Sequence, residues 1–103
     1  MRILLVCMLL VCMLCLSGCL SAPKLTAGRA ARCVQMTFAY QNLVRGVAGP
    51  ITIEVDEADP DLIELHVLAA AGRMGRFRIW RGDRRIELWD ARQAGWQAVG
   101  VCD

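Results

Sequence analysis

Chemistry in this chain would have to start from its thiols, Cys7, Cys12, Cys15, Cys19, Cys33 and Cys102, and from its single imidazole, His66. A nucleophilic thiol needs a base within hydrogen-bond reach, and zinc needs three or four nitrogen or sulfur ligands. With no second histidine and no C-x-x-C beyond residue 18, neither a metal site nor a catalytic residue is expected. Ser21 is the only serine beyond residue 18, and no G-x-S-x-G surrounds it. The acidic run Glu54, Asp56, Glu57, Asp59, Asp61 and Glu64 puts carboxylates at the first three ligand positions of a calcium loop starting at Glu57. Leu62 then stands where such a loop needs glycine, and Leu68 where it needs the closing glutamate, so the loop fails. Asp59-Pro60-Asp61 reads instead as turn chemistry.

Residues 1–18 read as a targeting segment. Met1-Arg2 is a short basic start, and Ile3 to Leu16 is an apolar run of fourteen residues ending at Ser17-Gly18. Spanning a bilayer takes about 20 apolar residues. A charged start, an apolar run of roughly 7–15 residues and small residues at its end define a secretory signal peptide. Cys7, Cys12 and Cys15 lie inside that run and would be discarded with it.

Leu16-Ser17-Gly18-Cys19 resembles the lipobox of bacterial prolipoproteins: an aliphatic residue, two small ones, then cysteine. The resemblance implies a diacylglyceryl group on the Cys19 thiol, cleavage just before it and an N-acyl chain on the new terminus. No other cofactor is implied. Two or three chains hold a protein stably on a membrane, where one alone does not. Leu20 replaces the aspartate that retains enterobacterial lipoproteins in the inner membrane. The resemblance therefore implies a protein anchored in the outer membrane and facing the periplasm. A flexible tether is expected over 19–31, rich in Ala, Ser, Pro and Gly, followed by one small domain over 32–103.

With Cys19 lipidated, Cys33 and Cys102 are the remaining pair, and in an oxidising compartment an even pair reads as a disulfide. It would close nearly the whole domain, worth about 4 kcal/mol by loop entropy. A domain this small has a thin core and benefits from such a staple. Beyond residue 18 the chain carries 11 basic and 10 acidic residues, which argues against a nucleic-acid partner. The charges are segregated: the acidic run is followed by Arg73, Arg76, Arg78, Arg81, Arg84 and Arg85. In an antiparallel fold these neighbours would pair as exposed ions.

The elements that position these residues are mostly strands. Val34, Met36, Phe38 and Tyr40 alternate with polar residues, as do Ile51, Ile53 and Val55, and Ile63, Leu65 and Val67. WQAVGV supplies a last strand, ending at Cys102. Asp59, Pro60 and Gly72 also fit a short helix over 60–71, which would make the fold α+β. The alternation favours a strand there, and an outward His66. The expected fold class is mainly β, a small antiparallel meander of about five strands, with the disulfide joining the two ends of the sheet.

In RFRIWRGDRRIELWD, Gly82-Asp83 reads as a two-residue type II′ turn. The register then sets Trp80 opposite Arg85, Arg78 opposite Glu87 and Arg76 opposite Trp89. These six residues form the candidate binding face, because Trp and Arg dominate binding hot spots. Phe77, Ile79, Ile86 and Leu88 fall on the other side, toward the core.

The stretch LHVLAAAGRMGRFRIWRGDRRIEL resembles the strand–loop–strand pattern of the LolB-like outer-membrane lipoprotein receptors. That resemblance implies part of an open half-barrel with a lipid-binding cavity. Two function classes follow. One is a non-enzymatic lipoprotein that binds or scaffolds an envelope protein; the other is a lipid or lipoprotein carrier, which needs an apolar pocket of several hundred Å³.

Overall fold

The computed structural model of the protein describes residues 24–103. The expected signal peptide and lipobox, with Cys19, lie outside the described residues. Two helices, α1 (Ala27–Gln35) and α2 (Phe38–Val44), precede five strands: β1 (Thr52–Asp56), β2 (Leu62–Ala69), β3 (Gly72–Trp80), β4 (Arg85–Asp90) and β5 (Gly95–Val101). The strands form one antiparallel sheet in the order β1-β2-β3-β4-β5, the meander expected from the alternation.

The core lies between one face of the sheet and the two helices. Ile63, Leu65, Val67, Phe77, Ile79 and Ile86 are buried from the sheet side, Ala30 and Val34 from α1, and Leu25 and Cys102 from the flanking chain. Leu43 on α2 sits directly over Gly75 of β3, where a Cβ would fall 2.7 Å from its Cδ2. Gly75 thus lets α2 approach the sheet. The segment 62–69 is strand rather than helix. The Asp59 side chain accepts from the Asp61 amide at 2.8 Å, a local turn that delivers Leu62 straight into β2.

The expected first strand over 34–40 does not form; that stretch is helical. Its alternation misled because Val34 is buried while Met36 is 75% and Phe38 83% exposed, so the four apolar positions do not share a face. Capping explains the outcome. The Thr26 hydroxyl accepts from the Arg29 amide at 3.2 Å and starts α1. The buried Thr37 hydroxyl donates to the Val34 carbonyl at 2.7 Å and accepts from the Tyr40 amide at 3.1 Å. One side chain therefore closes α1 and opens α2. Thr37→Val keeps the shape and loses both bonds; an expected cost of about 1–2 kcal/mol is measurable by urea denaturation.

Folded chain also begins earlier than the tether expected over 19–31 allows. Leu25 is buried and α1 already runs from Ala27. The Cys33–Cys102 disulfide is present, with its Cα atoms 5.4 Å apart. It joins α1 to the end of the last strand, rather than two strand ends.

The β3–β4 register matches the expected one, with Phe77 opposite Leu88, Arg78 opposite Glu87 and Ile79 opposite Ile86. The turn differs. Gly82 does not take a positive φ; Arg84 does, at 64°, and its amide donates to the Trp80 carbonyl at 2.9 Å. The connection is a four-residue loop, Arg81–Arg84, held also by the Asp83 carboxylate accepting from the Arg85 amide. A two-residue turn and a four-residue loop centred on the same bond give the same register, so the pairing survived the wrong turn type.

Candidate functional site

The face of the sheet away from the helices collects the expected six residues and one more. β3 contributes Arg76, Arg78 and Trp80, and β4 contributes Arg85, Glu87 and Trp89. β5 adds Trp96, directly opposite Trp89. The two indoles meet edge to face, with centroids 5.4 Å apart. Trp96 reaches this side through a β-bulge. Ile86 pairs with Gly100 on the core side, but Glu87 pairs with Ala98, so one extra residue, Val99, reverses the parity of β5. Strict alternation from Gly100 would have turned Trp96 inward, which is why the sequence did not flag it.

Guanidinium groups and indoles alternate across the face. Arg85 lies over Trp80 at 5.9 Å, and Arg78 lies over Trp80 at 5.0 Å and Trp96 at 4.1 Å. Arg76 lies over Trp96 at 5.4 Å and Trp89 at 5.9 Å. Each such contact is worth about 0.5–1 kcal/mol, and the indole pair about 0.5–1.5. All three indoles are half-buried rather than exposed, with Arg76, Arg78 and Arg85 lying over them.

Glu87 holds the ladder from beneath and is only 8% exposed. Its Oε1 accepts from Arg78 Nε at 2.7 Å and from Trp80 Nε1 at 2.6 Å, and Arg85 Nε stands 3.6 Å from Oε2. Burial alone would raise its pKa. The hydrogen bonds from Trp80 and Arg78 and the charges of Arg78 and Arg85 outweigh burial and hold the carboxyl below its ordinary value.

Beside the ladder, Arg76 Nη2 pairs with Glu64 Oε1 at 3.3 Å, joining the acidic run to the basic one as expected. His66 faces outward, also as expected, but it is largely covered. Its Nε2 stands 3.7 Å from Glu64, and its Nδ1 is buried without a hydrogen-bond partner. The acidic turn residues are spent on backbone: Asp56 accepts from the Ala58 amide, as Asp59 does from that of Asp61. Among the described residues, no group of three or more His, Cys, Asp or Glu side chains is arranged to hold a metal ion.

No family model, curated protein or solved structure matches the chain. The geometry therefore carries the functional reading. Chemically, the ladder offers a surface of alternating guanidinium and indole groups around one buried carboxylate. Its cations are not equally available: the Arg85 side chain is 47% exposed and that of Arg78 only 21%. A hollow of about 410 Å³ lined by Asp61, Trp80, Gly82, Asp83 and Arg85 adjoins the Arg85 end.

A larger cleft of about 570 Å³ lies elsewhere, between α1 and the chain end, lined by residues that include Arg29, Arg32, Cys33, Met36, Val101 and Asp103. It is open to solvent on one side and carries charges on its rim. The core side of the sheet is filled by buried side chains.

Proposed function

We propose that this protein is a lipid-anchored, non-enzymatic module of the bacterial envelope that holds a protein partner on the Arg–Trp ladder of its sheet. The ladder is the observation that carries the reading. Side chains of three strands, β3, β4 and β5, are stacked on one face, with a buried carboxylate fixing the central arginine, so the surface is ordered before any partner arrives. Preorganised Trp and Arg side chains bind without a large loss of rotamer freedom. The partner would present carboxylates to Arg85 and Arg76 and an apolar side chain to the hollow beside Trp80.

Anchoring rests on the lipobox resemblance at Leu16-Ser17-Gly18-Cys19, and outer-membrane placement on Leu20. The ladder favours this reading over a lipid carrier. A carrier needs an enclosed apolar concavity; the core side of this sheet is occupied, and the cleft beside Cys33 has apolar walls at Met36 and Val101 but is open and also carries Arg29, Arg32 and Asp103.

Two measurements test the proposal. Metabolic palmitate should label the wild type and not Cys19→Ala; an unlabelled, soluble wild type would remove the anchor. For the ladder, Arg85→Ser and Trp89→Ala are better probes than Trp80→Ala, which also breaks the bond to Glu87. Each is expected to lower partner capture in cross-linked intact cells by roughly ten-fold or more, the loss typical of hot-spot truncation. Equal yields of the same partners from wild type and the double variant would reduce the ladder to an ordinary solvated face.

A further inference from the structure

The end of the domain where the chain enters it combines exposed apolar side chains with clustered cations. Arg29 donates from Nε and Nη2 to the Asp103 main-chain carbonyl, bringing the start of α1 to the end of the chain. Arg81 Nη1 donates to the Leu25 carbonyl at 3.4 Å, and the Cys102 amide to the Arg84 carbonyl at 2.8 Å, so the β3–β4 loop joins the same end. Arg29, Arg32 and Asp103 line one cleft there, Lys24 precedes the buried Leu25, and Arg81 and Arg84 reach the same end through their bonds to Leu25 and Cys102. Met36, Phe38 and Val101 are the large hydrophobic residues left exposed among the described residues. Met36 and Val101 line the cleft with Arg29 and Arg32, and Phe38 follows Met36 across the Thr37 cap.

Covalent reach decides what this surface meets. Leu25 is fixed in the core, and Cys19 lies six residues before it. Six residues extend at most about 20 Å. With Cys19 lipidated, the entry end of the domain is confined to a shell of that depth above the bilayer, at high effective concentration. Apolar tips rimmed by Lys and Arg suit the boundary between headgroups and acyl chains, and their charge is opposite to that of anionic phospholipids.

We propose that the domain docks on the anionic bilayer surface through Lys24, Arg29, Arg32, Met36, Phe38 and Val101. This rests on lipidation of Cys19. Docking at this end leaves Arg76, Trp89 and Trp96 of the ladder away from the lipid, while its Arg85 end adjoins the β3–β4 loop that joins the docking end.

The test uses the full chain, purified from membranes and reconstituted into vesicles of phosphatidylethanolamine and phosphatidylglycerol, or of phosphatidylcholine alone. A polarity-sensitive dye is attached to Gln41→Cys, one turn beyond Phe38, and in a second sample to Glu54→Cys, opposite His66 on the face of the sheet turned away from the helices. Mass spectrometry of the same samples reads the state of Cys19 separately. Expected is a blue shift at position 41 on the anionic vesicles, with none at position 54. The shift should weaken at high salt, and in Lys24→Gln/Arg32→Gln the docked-to-undocked ratio should fall roughly twenty-five-fold, about five-fold for each of the two charges. Met36→Ser/Phe38→Ser should abolish it. A lipidated Cys19 with no shift at position 41 overturns docking and leaves the anchor standing. A shift of equal size on neutral vesicles that grows with protein density indicates a second copy and also overturns it. An unmodified Cys19 removes the anchor and, because docking rests on it, docking as well; its free thiol also takes the dye, so no shift in that sample reads position 41 alone.

Discussion

Reducing the Cys33–Cys102 bond is expected to lower stability by about 4 kcal/mol, the value loop entropy gives for a closed segment spanning 69 residues. Domains have roughly 0.05–0.15 kcal/mol of stability per residue, so this one has about 4–12 kcal/mol in all. Loss of the bond therefore removes a third of the stability or more. At about 4–8 °C per kcal/mol, the melting temperature should fall by roughly 15–30 °C.

The loss should also be uneven. α1 is nine residues long, too short to persist alone, and it enters the core mainly through Ala30 and Val34. The disulfide ties it to the end of β5 through Cys102, which is itself buried. In the reduced protein, amides of α1 should lose hydrogen-exchange protection before those of β2 and β3. Urea titrations of oxidised and reduced protein read the first effect, and exchange by mass spectrometry reads the second. A change below about 1 kcal/mol would mean that the unfolded chain is already compact, and the entropic account would fail.

How much of this fold was legible in the sequence follows from where a local pattern decides the outcome. From Ile63 to Val67 in β2 and from Arg76 to Trp80 in β3 the apolar alternation and the burial agree, because both neighbours of each strand are also strands; in β4 Glu87 is buried beside Ile86 and breaks the pattern. The turn type at Gly82-Asp83 was misread without harm, since register depends on the centre of the connection and not on its length. At Val34, Met36, Phe38 and Tyr40 the pattern deceived. Val34 and Phe38 fit a helical spacing as well as an alternating one, and the deciding group is the Thr37 hydroxyl, whose two bonds exist only once both helices do. The Ala, Arg and Gln content of AGRAARCVQ favours helix and was the available signal. Trp96 was out of reach for another reason. A bulge at Val99 reverses its face, and the only local sign of it is the isolated Gly100 beside it. The ladder was thus half legible: the hairpin set six of its members, and the seventh depended on an irregularity in a strand pairing.

Glu87 is where fold and candidate site depend on one residue. Glu87→Ala leaves the Arg78 guanidinium and the Trp80 N–H without their shared acceptor, and an expected cost of about 2–3 kcal/mol follows from unpairing a charged hydrogen-bonded group. Glu87→Gln keeps an acceptor and should cost less. The pH dependence separates charge from shape. The folded carboxyl titrates below its ordinary value, near 4.5, which the unfolded chain retains. Above that value both states are ionised and the stabilisation is fully present. As pH falls below about 4.5 the unfolded chain takes up the proton first, so the stabilisation declines and is gone once pH passes below the folded pKa. Other carboxylates add to the acid slope of the wild type, so the informative quantity is the difference between wild type and Glu87→Gln. That difference should be constant from neutral pH down to about pH 5 and shrink progressively below it. Tryptophan fluorescence should report the same change, because Trp80 loses its charged acceptor as Glu87 is protonated. Parallel stability curves for the two proteins down to pH 3 would show that the carboxylate carries no net charge-dependent stabilisation. The ladder would then owe its order to packing of indole on guanidinium alone.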